Sequence, residues 1–428
     1  MNDNNLKNSS LRNIFRTLKY RNYRLYFSGQ TLSLIGTWIQ MLAMSWLVYR
    51  LTGSAFILGL VGFLSRIPTF FLSPFAGVIV DRWNKYRLLL LTQILSMLQS
   101  AILTVLVFTN VIEVWHLIAL GVFLGLVNSL DIPVRQSFVV EMIEKKEDLN
   151  NAIALNSAMV NGARLFGPTI AGILVAVVGE GWCFLINTIS FVFIIISLLF
   201  MVIEYKKPLM RITTPLREFK DGLKYVYRFP PIKAILLLLA LVSLMGMPFQ
   251  VLMPVFAKEI LNGGAHTLGY LMAGVGVGAL VGALYLASRK TVLGLGRIIP
   301  LASAIFGTGL ILFSFSNIFI LSFIILIITG FGMMVEMTSS NTMIQTLTDD
   351  DKRGRVMSFY TMAFMGMVPF GNLLAGTLSD LIGVNYTVMT GGICCILGAI
   401  YFYLKLPSLR PYIRPIYIKK SIITVEDN

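Results

Sequence analysis

Apolar runs of about 20 residues, each closed by charged or polar residues, recur twelve times along the chain. They lie at roughly 24–49, 56–80, 88–109, 115–132, 151–178, 181–203, 233–257, 267–288, 297–316, 318–343, 356–380 and 385–405. A helix rises 1.5 Å per residue, so a run of this length crosses the ~30 Å hydrocarbon core of a bilayer. The sixth run is the cleanest, with no charge from Gly181 to Ile203. Ile298 to Val335 is also uncharged but too long for one span, and Ser314, Ser316 and Asn317 break it into two. The pattern predicts an all-α polytopic membrane protein with twelve transmembrane helices.

Composition agrees. Of 428 residues, 56% are hydrophobic and only 13% charged, about half the charged share of a soluble domain. A soluble enzyme, a disordered chain, a nucleic-acid-binding domain and a small disulfide scaffold are all excluded. The net charge of +15 reads as the positive-inside bias of a membrane protein. With the N-terminus in the cytoplasm, 30 of the 35 Lys and Arg residues fall in the N-terminal arm, the even-to-odd loops and the tail. The others are Arg24, Arg50, Arg66, Arg164 and Lys258. Both termini are therefore expected inside. The first ~22 residues are polar and basic ahead of a run long enough to span, so no cleavable signal peptide is expected.

The chain is expected to divide into a six-helix bundle with a basic amphipathic arm (1–203), a linker (204–232), a second six-helix bundle (233–405) and a tail (406–428). In the linker, Thr214-Pro215 starts a helix with Leu216, Phe219, Leu223 and Val226 on one face and Lys220, Lys224 and Arg228 elsewhere. Leu11, Ile14, Phe15 and Leu18 give the arm a similar stripe. Both segments are expected to lie on the inner membrane surface.

The two halves carry an internal repeat. At an offset of 204, Gly162, Phe166, Gly167, Ala171, Gly172, Leu174 and Gly179 match Gly366, Phe370, Gly371, Ala375, Gly376, Leu378 and Gly383. Six spans per half leave the halves in the same orientation, so they form two parallel six-helix repeats, a transporter architecture with its site at the repeat interface.

Two motifs and several shorter stretches carry a family resemblance. GVIVDRWNKYR, from Gly77 to Arg87, resembles the loop signature of the major facilitator superfamily through Gly77, Asp81, Arg82, Lys85 and Arg87. Asn84 stands where the family has a second Gly, and Asn is the next-best residue for a left-handed turn. The resemblance implies a conformational latch that holds the outward-facing state. ALNSAMVNGARLFGPTIAG, from Ala154 to Gly172, resembles the antiporter signature of exporters in that family. Ala154, Ala163, Gly167, Pro168, Ala171 and Gly172 fit, with Ala at three usual Gly positions. Small residues permit close helix approach and the Pro bends the helix; the resemblance implies a seal on the cytoplasmic side. Arg21-Asn22-Tyr23, Leu51-Thr52-Gly53-Ser54, Asp131-x-Pro133-x-Arg135 and Arg353-Gly354-Arg355-Val356 resemble the branch that holds the enterobactin exporter and macrolide efflux proteins.

Ionisable residues at membrane depth are costly, so each is a functional candidate. Arg66 and Arg164 lie mid-span in the first half and suggest a cavity for an anionic or acceptor-rich substrate. Trp38, Gln40, Met41 and Met44 on the first span are further candidates to line it. Asp131 and Glu336, at near-equivalent repeat positions 205 residues apart, are proton-coupling candidates, with Asp380 a third. A carboxylate in low dielectric can exchange a proton near neutral pH. Arg135, four residues on, offers Asp131 a competing role as an ion-pair partner.

No metal, cofactor or nucleic acid is expected. The three cysteines, Cys183, Cys394 and Cys395, sit in apolar runs without ligand spacing, and the only histidines are His116 and His266. No Gly-Lys dipeptide occurs, so there is no P-loop, and no Gly-x-Ser occurs, so there is no nucleophile elbow. The chain is not expected to be an enzyme. The expected function is secondary active export of a small molecule, a siderophore or a drug-like compound, across the bacterial plasma (inner) membrane. Its partners would be the substrate, protons and the lipid bilayer, and it would work as a monomer. An importer or a lipid transporter of the same fold is the alternative.

Overall fold

The computed structural model describes residues 16–143, 145–202, 215–289, 291–349, 352–420 and 422. Leu11, Ile14, Phe15, Thr214 and the side chains of Leu216 and Phe219 lie outside the described residues. The protein is all-α with twelve helices long and apolar enough to cross a membrane. In the first half they are Arg21–Thr52, Ala55–Leu72, Lys85–Phe108, Val114–Glu141, Glu147–Val178 and Glu180–Leu199. In the second half they are Pro230–Ile260, Ala265–Ala287, Leu295–Ser314, Phe319–Leu347, Arg353–Ile382 and Val384–Lys419. We call them spans one to twelve.

The chain forms two compact units. One comprises Met1–Leu51 with Leu64–Ile212, the other Thr52–Phe63 with Thr213–Asn428. The first half of span two thus groups with the second unit, which the sequence gives no reason to expect.

Each unit is built by the same pairings. In the first, span two packs on span four, and span three on spans four and six. In the second, span eight packs on span ten, and span nine on spans ten and twelve. Lipid supplies no hydrophobic drive between helices, so close approach rests on small residues and van der Waals contact. Gly121 and Gly125 on span four meet Ser65 on span two. Gly278 on span eight meets the backbone of Ile327, and Gly330 on span ten meets the backbone of Val275. The repeat also reaches its turns. Gly179 and Gly383 each end a span and precede the next with φ +87°, a conformation that favours glycine.

Prolines set the breaks. Span two is two helices, Ala55–Leu64 and Ile67–Arg82, because the Pro68 ring would meet the carbonyl four residues earlier, at Leu64. Span eleven breaks between Arg353–Phe364 and Met367–Ile382, where the Pro369 ring would meet the carbonyl of Met365. Pro168, in contrast, sits inside an unbroken helix, Lys146–Val178. Span seven departs from regular helix at two π turns, Val242–Gly246 and Phe256–Ile260. These flank the Pro254-containing segment Phe249–Val255. Single π turns interrupt helices mostly at functional positions.

The last helix corrects the sequence reading, which ended it at residue 405. It continues to Lys419 through Pro407, Pro411 and Pro415. Leu406 and Leu409 are buried. Lys420 Nζ then donates to the carbonyls of Thr346 (2.8 Å) and Thr348 (3.4 Å) at the C-terminal end of span ten. A cation satisfying the last carbonyls of a helix also complements its dipole.

Candidate functional site

Two carboxylates occupy matching places in the repeat, and their surroundings differ. Asp131 on span four is ion-paired with Arg135, one turn on. It also accepts from Gln93 Nε2 (2.7 Å), and Thr92 Oγ1 lies 2.9 Å from the same oxygen. Both partners come from span three. Three polar neighbours thus surround this carboxylate. Asp131→Asn is therefore expected to cost roughly 3 kcal/mol, the low end for breaking a buried pair, since Arg135 keeps 21% exposure. Thermal unfolding in detergent checks this; D131L/R135M, which removes both charges, is expected to recover part of the loss.

Glu336 on span ten is fully buried. Its only hydrogen bond is from Ser340 Oγ (3.3 Å), and its Oε2 has no partner among the described residues. Ser340 stands one turn on, as Arg135 does in the first half, so the repeat keeps the i,i+4 geometry and replaces the cation with a hydroxyl. Tyr360 on span eleven donates to the carbonyl of Met337 (3.1 Å), closing the next turn of the same helix. A buried carboxylate without a cation is costly in its charged form, by several kcal/mol. Sequence reasoning found Glu336 and missed Ser340. The 205-residue offset, applied to Arg135, would have found it.

On span one, the expected cavity set separates. Gln40 is buried, donates to Gln99 Oε1 (2.9 Å) and accepts from Asn187 Nδ2 (2.8 Å). Its amide belongs to a network across spans one, three and six. Trp38 is half-buried, with the Arg164 guanidinium 5.9 Å from its ring centre. Gly167 brings span five against span one at this level, where a Cβ would collide with the Trp38 side chain. Gly172 is buried and Met41 half-buried. Arg66 is exposed and Arg164 half-buried.

The loop motif at 77–87 is resolved in part. Gly77, Asp81 and Arg82 belong to the helix Ile67–Arg82, and the side chains of Asp81 and Arg82 lie outside the described residues. Arg87 is exposed. The left-handed turn expected at Asn84 is absent. Asn84 is extended (φ −66°, ψ 111°), and its side chain accepts from Arg87 N (3.0 Å) as the N-cap of span three. Asp380 is exposed, accepts from Phe56 N (3.3 Å) and Ser54 Oγ (3.4 Å), and caps the helix that starts at Ala55. Gly59 and Gly376 cross a turn deeper, so close that a Cβ on Gly59 would lie 2.9 Å from the Gly376 Cα.

The starts of spans five and eleven are each held by the amphipathic segment that opens their half. Asp148 is paired with Arg16 and with Lys19 (2.8 Å), and accepts from Tyr20 (2.7 Å). Its hydrogen bond holds the Lys19 ammonium above its ordinary pKa. In the second half, Tyr225 of the linker helix Pro215–Arg228 donates to Asp349 (3.4 Å), and Lys352 lies 4.9 Å over its ring. Along that helix Val226 is buried and Leu223 exposed.

Residues 13–412 match the pattern of the transmembrane secretion effectors. The chain belongs to that family. It is therefore a multi-pass membrane transporter of the major facilitator superfamily, not an enzyme. This secretion effector is similar to the staphyloferrin A transporter of Staphylococcus aureus: 28% identity over 384 residues, covering 89% of this chain and 95% of the relative. It is also similar to macrolide efflux protein A of Streptococcus pyogenes: 23% over 391 residues, covering 88% and 96%. Its fold matches an inward-facing, unoccupied bacterial homologue of the human lysosomal transporter Spinster at TM-score 0.70. That match covers 92% of this chain and 98% of the other at 12% identity. Together the twelve spans, the parallel repeat and these relatives account for the major facilitator features of the sequence.

Proposed function

We propose that this secretion effector exports a small molecule by alternating access, coupled to proton entry, from the cytoplasm across a bacterial plasma membrane. Both termini lie in the cytoplasm, as the distribution of lysine and arginine requires, and one chain suffices. The observation that carries the coupling is Glu336: a fully buried carboxylate inside a span, with one oxygen unpartnered and no cation paired with it among the described residues. Asp131, its counterpart, is neutralised by Arg135 and is left a structural role. Substrate and proton each shift the balance of states by their differential affinity for them. The efflux named for macrolide efflux protein A supports the outward direction.

Inside-out vesicles test the reading. With radiolabelled staphyloferrin A and erythromycin as probes, an acidic lumen is expected to drive at least one of them inward, and an uncoupler to abolish the accumulation. Accumulation that survives the uncoupler overturns the proton coupling. Loss of a preloaded probe under that gradient overturns the direction, and a wild-type protein that moves neither probe overturns the reading for these substrates.

A further inference from the structure

We infer that Tyr227 of the linker helix and Lys233 of span seven form a headgroup site for an anionic phospholipid.

Ring contacts build the site. Lys233 stands in the first turn of span seven, and its ammonium lies 4.1 Å over the Tyr227 ring. A cation at that distance is held by the ring's face and keeps N–H donors for a further partner. The corner between the two helices is fixed by Phe229, whose ring stacks on Tyr225 at 6.4 Å and meets Tyr412 of the last helix edge-on at 6.5 Å. Gly222 seats the linker helix on span eleven, where a Cβ would lie 2.9 Å from the Phe359 ring. The tyrosine and the lysine are therefore brought together by the packing of the second unit.

The surroundings add charge and an apolar wall. Lys220, Leu223 and Lys224 stand one and two turns before Tyr227 on the same face of the linker helix, and each is exposed. Glu218 and Asp221 fall off that face by their spacing in the sequence. Leu237, one turn beyond Lys233 within span seven, is 59% exposed. Other lysine–tyrosine contacts differ. Those of Lys19 with Tyr20 and of Lys352 with Tyr225 each include a carboxylate, Asp148 and Asp349. Lys405 lies over Tyr401 of its own helix. Lys233 joins two helices, beside a basic face, with no ion-pair partner among the described residues.

The chemistry selects the occupant. The chain spans a membrane, so the end of a span lies at the level of the lipid headgroups. A phosphate there accepts from the Lys233 ammonium, and Lys220 and Lys224 supply further attraction. The acyl chain runs on along Leu237. A choline headgroup brings its own cation against the lysines, and a soluble phosphate has no acyl chain for the leucine. Bound across the corner, the headgroup ties the linker helix to span seven.

Thermal-shift titration of the purified full-length protein in a mild detergent tests this, with phosphatidylglycerol, phosphatidylcholine and water-soluble glycerol 3-phosphate as probes. Phosphatidylglycerol is expected to raise the unfolding temperature, and the other two are not at the same concentration. Lys233→Gln and Tyr227→Ala are each expected to weaken the phosphatidylglycerol response roughly fivefold, the worth of one lysine at an anionic surface. Lys233→Arg and Tyr227→Phe are expected to keep most of it. Lys352→Gln, which removes one charge from the same unit, is expected to leave it unchanged. Tyr227 is exposed and Lys233 half-buried, so the lipid-free unfolding temperatures should stay near wild type. The site is overturned if phosphatidylcholine matches phosphatidylglycerol, or if Lys233→Gln and Tyr227→Ala both titrate like wild type. A Lys352→Gln loss equal to that of Lys233→Gln overturns it in favour of net charge alone, and a glycerol 3-phosphate response equal to the lipid's overturns the lipid as occupant.

Discussion

Glu336→Gln is expected to give a folded protein that no longer concentrates substrate. The exchange replaces a fully buried carboxyl by an amide of nearly the same shape and leaves the contact with Ser340 in place. The unfolding temperature in detergent should be unchanged or higher, because the buried position no longer risks an unpaired charge worth several kcal/mol. Accumulation driven by a proton gradient should fall to background. Substrate flow down its own gradient should persist and lose its dependence on pH. Glu336→Asp, which withdraws the carboxyl by one methylene, should recover part of the coupled activity. Full concentrative transport by the Gln variant would end the coupling role of this residue. A collapse in unfolding temperature would instead mark Glu336 as structural.

The second large effect is on folding. Gly278→Leu is expected to leave no folded transporter. A Cβ on Gly278 would lie 2.7 Å from the carbonyl carbon of Ile327 and 2.8 Å from the amide nitrogen of Phe331. These are backbone atoms of the facing helix, so no rotamer change relieves the clash. Spans eight and ten would have to separate, which removes the packing that holds membrane helices together and costs more than about 4 kcal/mol. Gly162, also within a span, has open space around the same position. Gly162→Ala should be neutral or gain up to ~1 kcal/mol from helix propensity. Size-exclusion profiles and thermal unfolding of the two variants in one detergent test the contrast. A monodisperse Gly278→Leu protein with wild-type stability would refute the close crossing.

The contrast shows what could be read in advance. The spans, their number and the repeat were legible because lipid imposes one rule on every residue of a span, and the violations are visible as charges. Glu336 was legible for the same reason. Its distinction from Asp131 was not fully so. Arg135 was visible one turn on, but Gln93 and Thr92 come from another helix. Gln40 stands as a polar residue within the first apolar run, and the run does not say what it meets. Only the fold shows that Gln99 and Asn187 face it. Asp380 sat near a span end, and its role depends on the amide of Phe56, 324 residues away. The apolar run ends at 405, but the helix goes on through Pro407, Pro411 and Pro415. The helix continues because its buried Leu406 and Leu409, and the docking of its end on span ten, outweigh the lost hydrogen bonds.

That docking bears on how the protein is handled. A fluorophore or affinity handle fused after Asn428 hangs a few residues beyond Lys420, whose ammonium grips the end of the helix that bears Glu336. A label placed there adds its load close in sequence to the contact of Lys420 with Thr346, so that contact is the first thing such a fusion puts at stake.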